Sequence, residues 1–204
     1  MMDDYIYVNN YSISKELCFD IIKLFEKSED KYPGITGSGL NKDIKDTNDF
    51  RIKHTDKKWE KIYKFLHNEI TINLNKYFKK LNSIGDFNNP NQNTKFTFQH
   101  FISNSFYYSS IQIQKYKKNN GRYIYHNDSE IDLKENKYRI ITFLWYLNDV
   151  LEGGETSFNG NMSIKPETGK LVFFPSTWTY PHCGKIPLSN DKYIMTGWIY
   201  TDIY

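Results

Sequence analysis

His126 and Asp128 stand two residues apart, and His182 follows far downstream with the cationic Lys192 beyond it. Two imidazoles and one carboxylate leave three positions of a six-coordinate ion free, the ligand set that suits non-haem Fe(II) and its chemistry with O2. Tyr125-His126-Asn127-Asp128 reads as the end of a strand, where alternate residues point to one face, so the imidazole and the carboxylate can grip one ion. His182 has to come from another strand brought alongside. A His-x-Asp pair alone is a weak signal, more often two surface residues than a metal site, and its neighbourhood has to decide.

The elements that would position these residues are legible from periodicity. Ser14 can cap a helix whose apolar residues Leu17, Ile21, Ile22 and Phe25 recur at helical spacing up to about Lys27. A second helix is expected from about Asp56 to Lys80, with Trp59, Ile62, Tyr63, Leu66, Ile70, Leu74 and Phe78 on its buried stripe. Between them, Pro33 to Asp49 is rich in Gly, Asn and Asp and reads as a loop, either a lid that folds over a peptide or a plain mobile surface loop. The Asn-rich stretch Asn82 to Asn93 reads as another loop. From Phe96 onward, β-branched and aromatic residues come in short runs separated by Gly, Asn and Pro, the pattern of a sandwich or barrel. The expectation is a single α+β domain over residues 1–204: a helical front (about 1–95) backing a double-sheet jelly roll (about 96–204).

Within Ile111 to Trp198 the motifs come in a definite order. Gln114-Lys115-Tyr116 precedes Gly121-Arg122-Tyr123 and the His126/Asp128 pair. Arg139-Ile140-Ile141-Thr142 leads to Tyr146-Leu147-Asn148-Asp149, then Gly153-Gly154-Glu155-Thr156-Ser157-Phe158. Pro166, Gly169 and Leu171 to Pro175 follow, then His182 with Gly184 and Pro187, Lys192-Tyr193, and Thr196-Gly197-Trp198. This series resembles the core of the prolyl 4-hydroxylase-like Fe(II)/2-oxoglutarate dioxygenases, and Leu17 to Ile22 resembles the family's opening helix. The resemblance implies a double-stranded β-helix (jelly roll) and a cofactor set of Fe(II), 2-oxoglutarate and O2, with ascorbate as an accessory reductant. It implies His126, Asp128 and His182 as metal ligands, and Tyr116, Leu144, Tyr146, Thr156, Lys192 and Thr196 as the 2-oxoglutarate pocket. It places Tyr123, Arg139 and Trp198 on the substrate channel.

The residues agree with these roles chemically. The distal carboxylate of 2-oxoglutarate needs a counter-charge inside a pocket, since a buried unpaired charge is severely unfavourable. Lys192 can supply it, and the hydroxyls of Thr196 and Tyr116 can add charge-assisted hydrogen bonds. Leu144 and Tyr146 share strand parity. Asp128 bears on reaction type, because halogenating members of the wider superfamily replace this carboxylate with a small residue; its presence points to hydroxylation. Trp145 is bulky for an outward position and is expected to pack beneath a helix. Arg139 lies in an otherwise apolar strand, where a guanidinium needs either a substrate or a structural ion pair.

Other features read more plainly. His54, His67 and His100 have no carboxylate or thiol at metal-ligand spacing. Cys183 adjoins His182, but adjacent strand residues face opposite ways. Gly153-Gly154 lacks the strand and helix of a phosphate-binding loop and reads as a hairpin or bulge. The 204 residues carry a net charge of +3 with basic and acidic residues interspersed. Nothing there calls for a specific nucleic-acid partner. Two cysteines make no disulfide framework, the N-terminus shows no signal-peptide pattern, and no apolar run approaches a membrane span. The expectation is a cytoplasmic protein, with the Asn, Lys, Ile and Tyr usage of an A/T-rich bacterial or phage genome. Three function classes follow: a hydroxylase of a prolyl residue in a peptide or protein, the same chemistry on a free amino acid or other small molecule, and a non-enzymatic jelly-roll binding module.

Overall fold

The computed structural model describes residues 2–84 and 106–203. In chain order its elements are β1 (Tyr7–Asn9), α1 (Lys15–Lys27), β2 (Tyr32–Pro33), β3 (Lys45–Asp46), β4 (Asn48–Arg51) and α2 (Lys57–Ser83). They continue with β5 (Tyr107–Tyr108), β6 (Gln112–Tyr116), β7 (Arg122–His126), β8 (Ile131–Asp132), β9 (Lys137–Tyr146), β10 (Thr156–Phe158) and β11 (Met162–Ile164). The last are β12 (Leu171–Pro175), β13 (His182–Gly184) and β14 (Lys192–Asp202). The strands form two antiparallel sheets in a jelly-roll arrangement. The larger runs β1-β12-β9-β14-β6-β4-β2, with β5 on β14 and β8 on β9; the smaller runs β11-β10-β13-β7-β3.

Strand parity on the larger sheet explains how the site is built. Phe143 and Trp145 of β9, Ile113 of β6, Met195 of β14 and Phe173 of β12 share one buried apolar cluster with Cys18, Ile21 and Phe25 of α1 and Leu66 and Ile70 of α2. The alternate residues Leu144, Tyr146, Tyr116, Ile194, Val172 and Phe174 belong to a second cluster, which Phe158 and Ile164 of the smaller sheet join. Because both faces of β9 are covered, Ile140 to Tyr146 is buried without a break and reads as a continuous apolar run. Each fully buried Leu, Ile or Phe contributes roughly 1.5–3 kcal/mol.

Both helices start where their caps are. Ser14 Oγ accepts from the Leu17 amide at 3.2 Å, and Asp56 Oδ1 accepts from the Lys58 amide at 2.9 Å. Cys18, Ile21 and Phe25 form the buried stripe of α1, and Trp59, Leu66, Ile70 and Leu74 lie on that of α2. Trp145 is fully buried in the helix-side cluster, where its indole donates to Ser12 Oγ at 3.1 Å.

Two expectations change. Pro33 to Asp49 is a loop only between its ends: residues 34–44 carry no strand or helix, but Pro33 ends β2, Lys45–Asp46 is an edge strand of the smaller sheet, and Asn48–Asp49 opens β4 in the larger. Polar residues can form strands here because their backbone groups join ladders and the buried charges pair. Lys45 Nζ meets Asp49 Oδ2 at 2.7 Å, and Thr47 Oγ1 donates to Asp49 Oδ1 at 2.7 Å. Residues 7–51 therefore complete both sheets as well as supplying α1. Asn82 and Ser83 belong to α2 and Ile84 caps it, while residues 85–93, the strand run from Phe96 as far as residue 105, and His100 lie outside the described residues. Among the described residues no helix is long and apolar enough to cross a membrane.

Candidate active site

His126 ends β7, Asp128 follows it by two, and His182 opens β13; the two histidines face each other in the β13/β7 register. One ligand atom from each of His126, Asp128 and His182 lies within 4.8 Å of the others. His126 Nδ1 lies 2.8 Å from the Ile124 carbonyl and His182 Nδ1 lies 3.1 Å from the Tyr180 carbonyl. A carbonyl only accepts, so both Nδ1 atoms carry the proton and both Nε2 lone pairs are left for an ion. Those Nε2 atoms each stand 3.7 Å from a different Asp128 oxygen.

The surroundings hold these side chains in place. Tyr123 stacks on His126 with ring centroids 3.5 Å apart, and Phe174 meets His182 edge-on at 4.7 Å. Thr142 Oγ1 donates to Asp128 Oδ2 at 2.8 Å and lies 2.9 Å from Ser176 Oγ. Burial, then the neighbouring His182, pushes the His126 pKa down to about 4. Burial disfavours the Asp128 carboxylate, but His182, His126 and the Thr142 hydroxyl outweigh it and hold its pKa below the usual range. The result is a neutral His126 imidazole beside an ionised carboxylate, and deprotonated donors of this kind are what a divalent cation requires.

The same cavity extends along β14 to Lys192. In register, Trp198 stands beside Thr142 at one end of this face and Lys192 beside Tyr116 at the other. Lys192 has no exposed surface. Its Nζ donates to the Gly154 carbonyl at 2.8 Å and lies 4.3 Å from the centre of the Tyr116 ring. Among the described residues no carboxylate forms an ion pair with it, and burial pushes its pKa down to about 7. Gly184 makes room for Tyr116: a Cβ there would lie 3.0 Å from the ring.

Among the other expected pocket residues, Leu144 and Thr156 line this cavity. Thr196 lines it too, but its hydroxyl donates to the Phe143 carbonyl at 2.8 Å; the Tyr116 hydroxyl donates to Gln114 Oε1 at 3.2 Å. Both donors are therefore spent within the protein, and a ligand carboxylate would have to draw them away. Tyr146 stands behind the wall, its hydroxyl donating to Thr156 Oγ1 at 2.7 Å.

Tyr123 and Trp198 line the cavity; Arg139 does not. Its guanidinium pairs with Glu130, lies 3.8 Å over the Trp198 ring, and donates through Nε to the Tyr200 hydroxyl at 2.9 Å. The ion pair expected as one alternative for Arg139 is formed, and the guanidinium buttresses Trp198. Cys183 is buried and absent from both the cavity wall and the metal-binding group. Gly153 and Gly154 both adopt positive φ, as a tight turn over Lys192 requires. Reading from sequence missed Gln114, Thr142, Phe174, Ser176 and Gly184. Gln114 and Thr142 carried a signal, the parity they share with Tyr116 and Leu144.

Residues 111–200 match the family model described as the 2OG-Fe(II) oxygenase superfamily. Over these residues the chain is similar to the 2OG-Fe(II) oxygenases, a class that works with Fe(II), 2-oxoglutarate and O2. The fold around them is prolyl 4-hydroxylase-like. A viral collagen prolyl hydroxylase from Paramecium bursaria Chlorella virus 1, solved with 2-oxoglutarate, superposes with a TM-score of 0.65 at 20% identity, covering 97% of this chain and 96% of that one. A Trichoplax adhaerens prolyl hydroxylase, solved with a peptide of the hypoxia inducible factor oxygen degradation domain, gives 0.68 at 19% identity over 98% and 84%. A Pseudomonas putida prolyl 4-hydroxylase gives 0.63 at 15% identity over 97% and 95%. Comparison with curated proteins gives no match.

Proposed function

We propose that this protein hydroxylates a C–H bond on a prolyl residue of a peptide or protein, with release of succinate and CO2, and that the chain acts as one catalytic domain in the cytoplasm. His126, Asp128 and His182 hold the Fe(II). Lys192 holds the distal carboxylate of 2-oxoglutarate, in a pocket walled by Tyr116, Leu144, Thr156 and Thr196 and backed by Tyr146. Tyr123 and Trp198 border the substrate, with Arg139 fixing the Trp198 ring from behind.

The observation that carries this reading is the buried Lys192, which forms no ion pair among the described residues, in the same cavity as two imidazoles and a carboxylate. An ammonium buried without an anion is costly, and it becomes intelligible when a ligand carboxylate fills the place. A ligand that is anionic at one end and chelating at the other satisfies both halves of the cavity, and 2-oxoglutarate is such a molecule. Bound together, Fe(II) and 2-oxoglutarate supply the reductive activation of O2 that ends in succinate, CO2 and a hydroxylated C–H bond. The chain's own residues orient and shield. The Nδ1 hydrogen bonds to Ile124 and Tyr180 aim both imidazoles, and Tyr123, Phe174 and Trp198 keep the surroundings apolar. The prolyl assignment rests on fold likeness to the viral, Trichoplax and Pseudomonas prolyl hydroxylases.

The test is succinate formation from 2-oxoglutarate with anaerobically added Fe(II), started by O2, with and without a panel of proline-containing peptides. The reading expects peptide-stimulated succinate and a mass gain of one oxygen on a proline. Succinate without any peptide effect would move the substrate to free amino acids or other small molecules, and no succinate under any condition would leave a binding module.

A further inference from the structure

The Asp128 carboxylate straddles the two histidines: Oδ1 lies 3.7 Å from His126 Nε2 and Oδ2 lies 3.7 Å from His182 Nε2. With equal distances, the three ligands do not themselves choose which oxygen serves an ion, or whether both do. The choice matters, because a carboxylate bound through both oxygens fills a fourth position and leaves two, whereas a chelating co-substrate and O2 together need three.

One oxygen is already committed. Thr142 Oγ1 donates to Oδ2 at 2.8 Å, and Ser176 Oγ lies 2.9 Å from Thr142 Oγ1. A threonine hydroxyl has a single hydrogen, so with that hydrogen on Asp128 it accepts from Ser176. Thr142 and Ser176 are each about 1% exposed, so water does not compete for this relay. Thr142 comes from the middle of β9 and Ser176 directly follows β12, two neighbouring strands of the rigid larger sheet. Asp128, by contrast, lies beyond the end of β7. We propose that Ser176 and Thr142 form a positioning relay that occupies Asp128 Oδ2, limits Asp128 to one metal bond through Oδ1, and so keeps the third coordination position open. The inference rests on the reading of His126, Asp128 and His182 as the metal site.

Mn(II) alone is a sufficient probe, since its enhancement of water-proton relaxation scales with the number of bound waters. Wild type and Thr142→Ser, which keeps the hydroxyl, should carry three exchangeable waters per bound Mn(II). Thr142→Val should carry two, with relaxation per bound ion down by about a third. Mn(II) affinity in Thr142→Val should fall about 10- to 100-fold, the usual cost of losing an outer partner of a ligand. Ser176→Ala should weaken Mn(II) binding in the same direction but less, and it decides the matter if Thr142→Val does not fold. Wild-type relaxation and affinity in whichever of the two variants folds overturns the relay. His126→Ala separates this from the underlying reading: it should bind no Mn(II), and undiminished binding there would refute the metal site itself.

Discussion

The cavity has two ends that treat charge in opposite ways. Around His126, Asp128 and His182 charge is offset locally, with the carboxylate between two imidazoles and Thr142 donating to it. Around Lys192, among the described residues, a carbonyl and the rings of Tyr116 and Tyr146 answer a buried ammonium, and no carboxylate forms an ion pair with it. On the proposed reading, the first end is preorganised for an ion that stays, and the second is left short of an anion that enters and leaves at each turnover. On that reading a resident carboxylate partner for Lys192 would stabilise the fold and block the co-substrate, so the buried charge is a stability cost retained for binding.

The largest effect should come from breaking the metal end. His126→Ala or Asp128→Ala is expected to bring succinate formation down to background while the circular dichroism spectrum and melting temperature stay near wild type. Retained turnover in either would remove these residues from the metal.

Lys192→Met breaks the other end and should separate binding from stability. Losing a buried charge partner costs about 2–5 kcal/mol, a roughly 30- to 5,000-fold loss of 2-oxoglutarate affinity. Removing an unpaired buried charge should stabilise the fold by roughly 1–4 kcal/mol. Calorimetric titration of Co(II)-loaded protein together with a thermal melt checks both signs. A variant that binds 2-oxoglutarate normally places the anchor elsewhere.

The pH dependence sharpens the comparison. Burial pushes Lys192 down to about 7, so without ligand its ammonium is present below that pH and lost above it. A bound carboxylate favours the ammonium, so 2-oxoglutarate affinity should be greatest near pH 6 and weaken by up to about tenfold for each unit above 7. Isothermal titrations from pH 6 to 9 would show this slope in wild type and none in Lys192→Met.

A smaller effect is expected from Gly184→Ala. Its methyl would crowd the Tyr116 ring at 3.0 Å, and overpacking of this kind costs roughly 1–3 kcal/mol. The KM for 2-oxoglutarate should rise while Mn(II) affinity is unchanged. The smallest effect belongs to Tyr146→Phe, which removes a hydrogen bond to Thr156 without touching the cavity. About 0.5–1.5 kcal/mol of stability should be lost with little change in 2-oxoglutarate affinity.

Sequence by itself determined what depends on near neighbours. The caps at Ser14 and Asp56, the apolar stripes of both helices and the period-two alternation of Leu144 and Tyr146 are local properties of the chain. So are the spacing of His126 and Asp128 and the ordered motifs from Ile111 to Trp198. Tertiary structure alone decided what depends on distant partners. It brought His182 opposite His126, turned the end of an apparent loop, Lys45 to Asp49, into two strands joined through a buried ion pair, and paired Arg139 with Glu130 beneath Trp198. It also spent the Tyr116 and Thr196 hydroxyls inside the protein, and set Ser176 behind Thr142. The physical reason is that a side chain's type fixes how many hydrogen bonds and charges it can offer, whereas which partner receives them is settled only when strands far apart in sequence come into register.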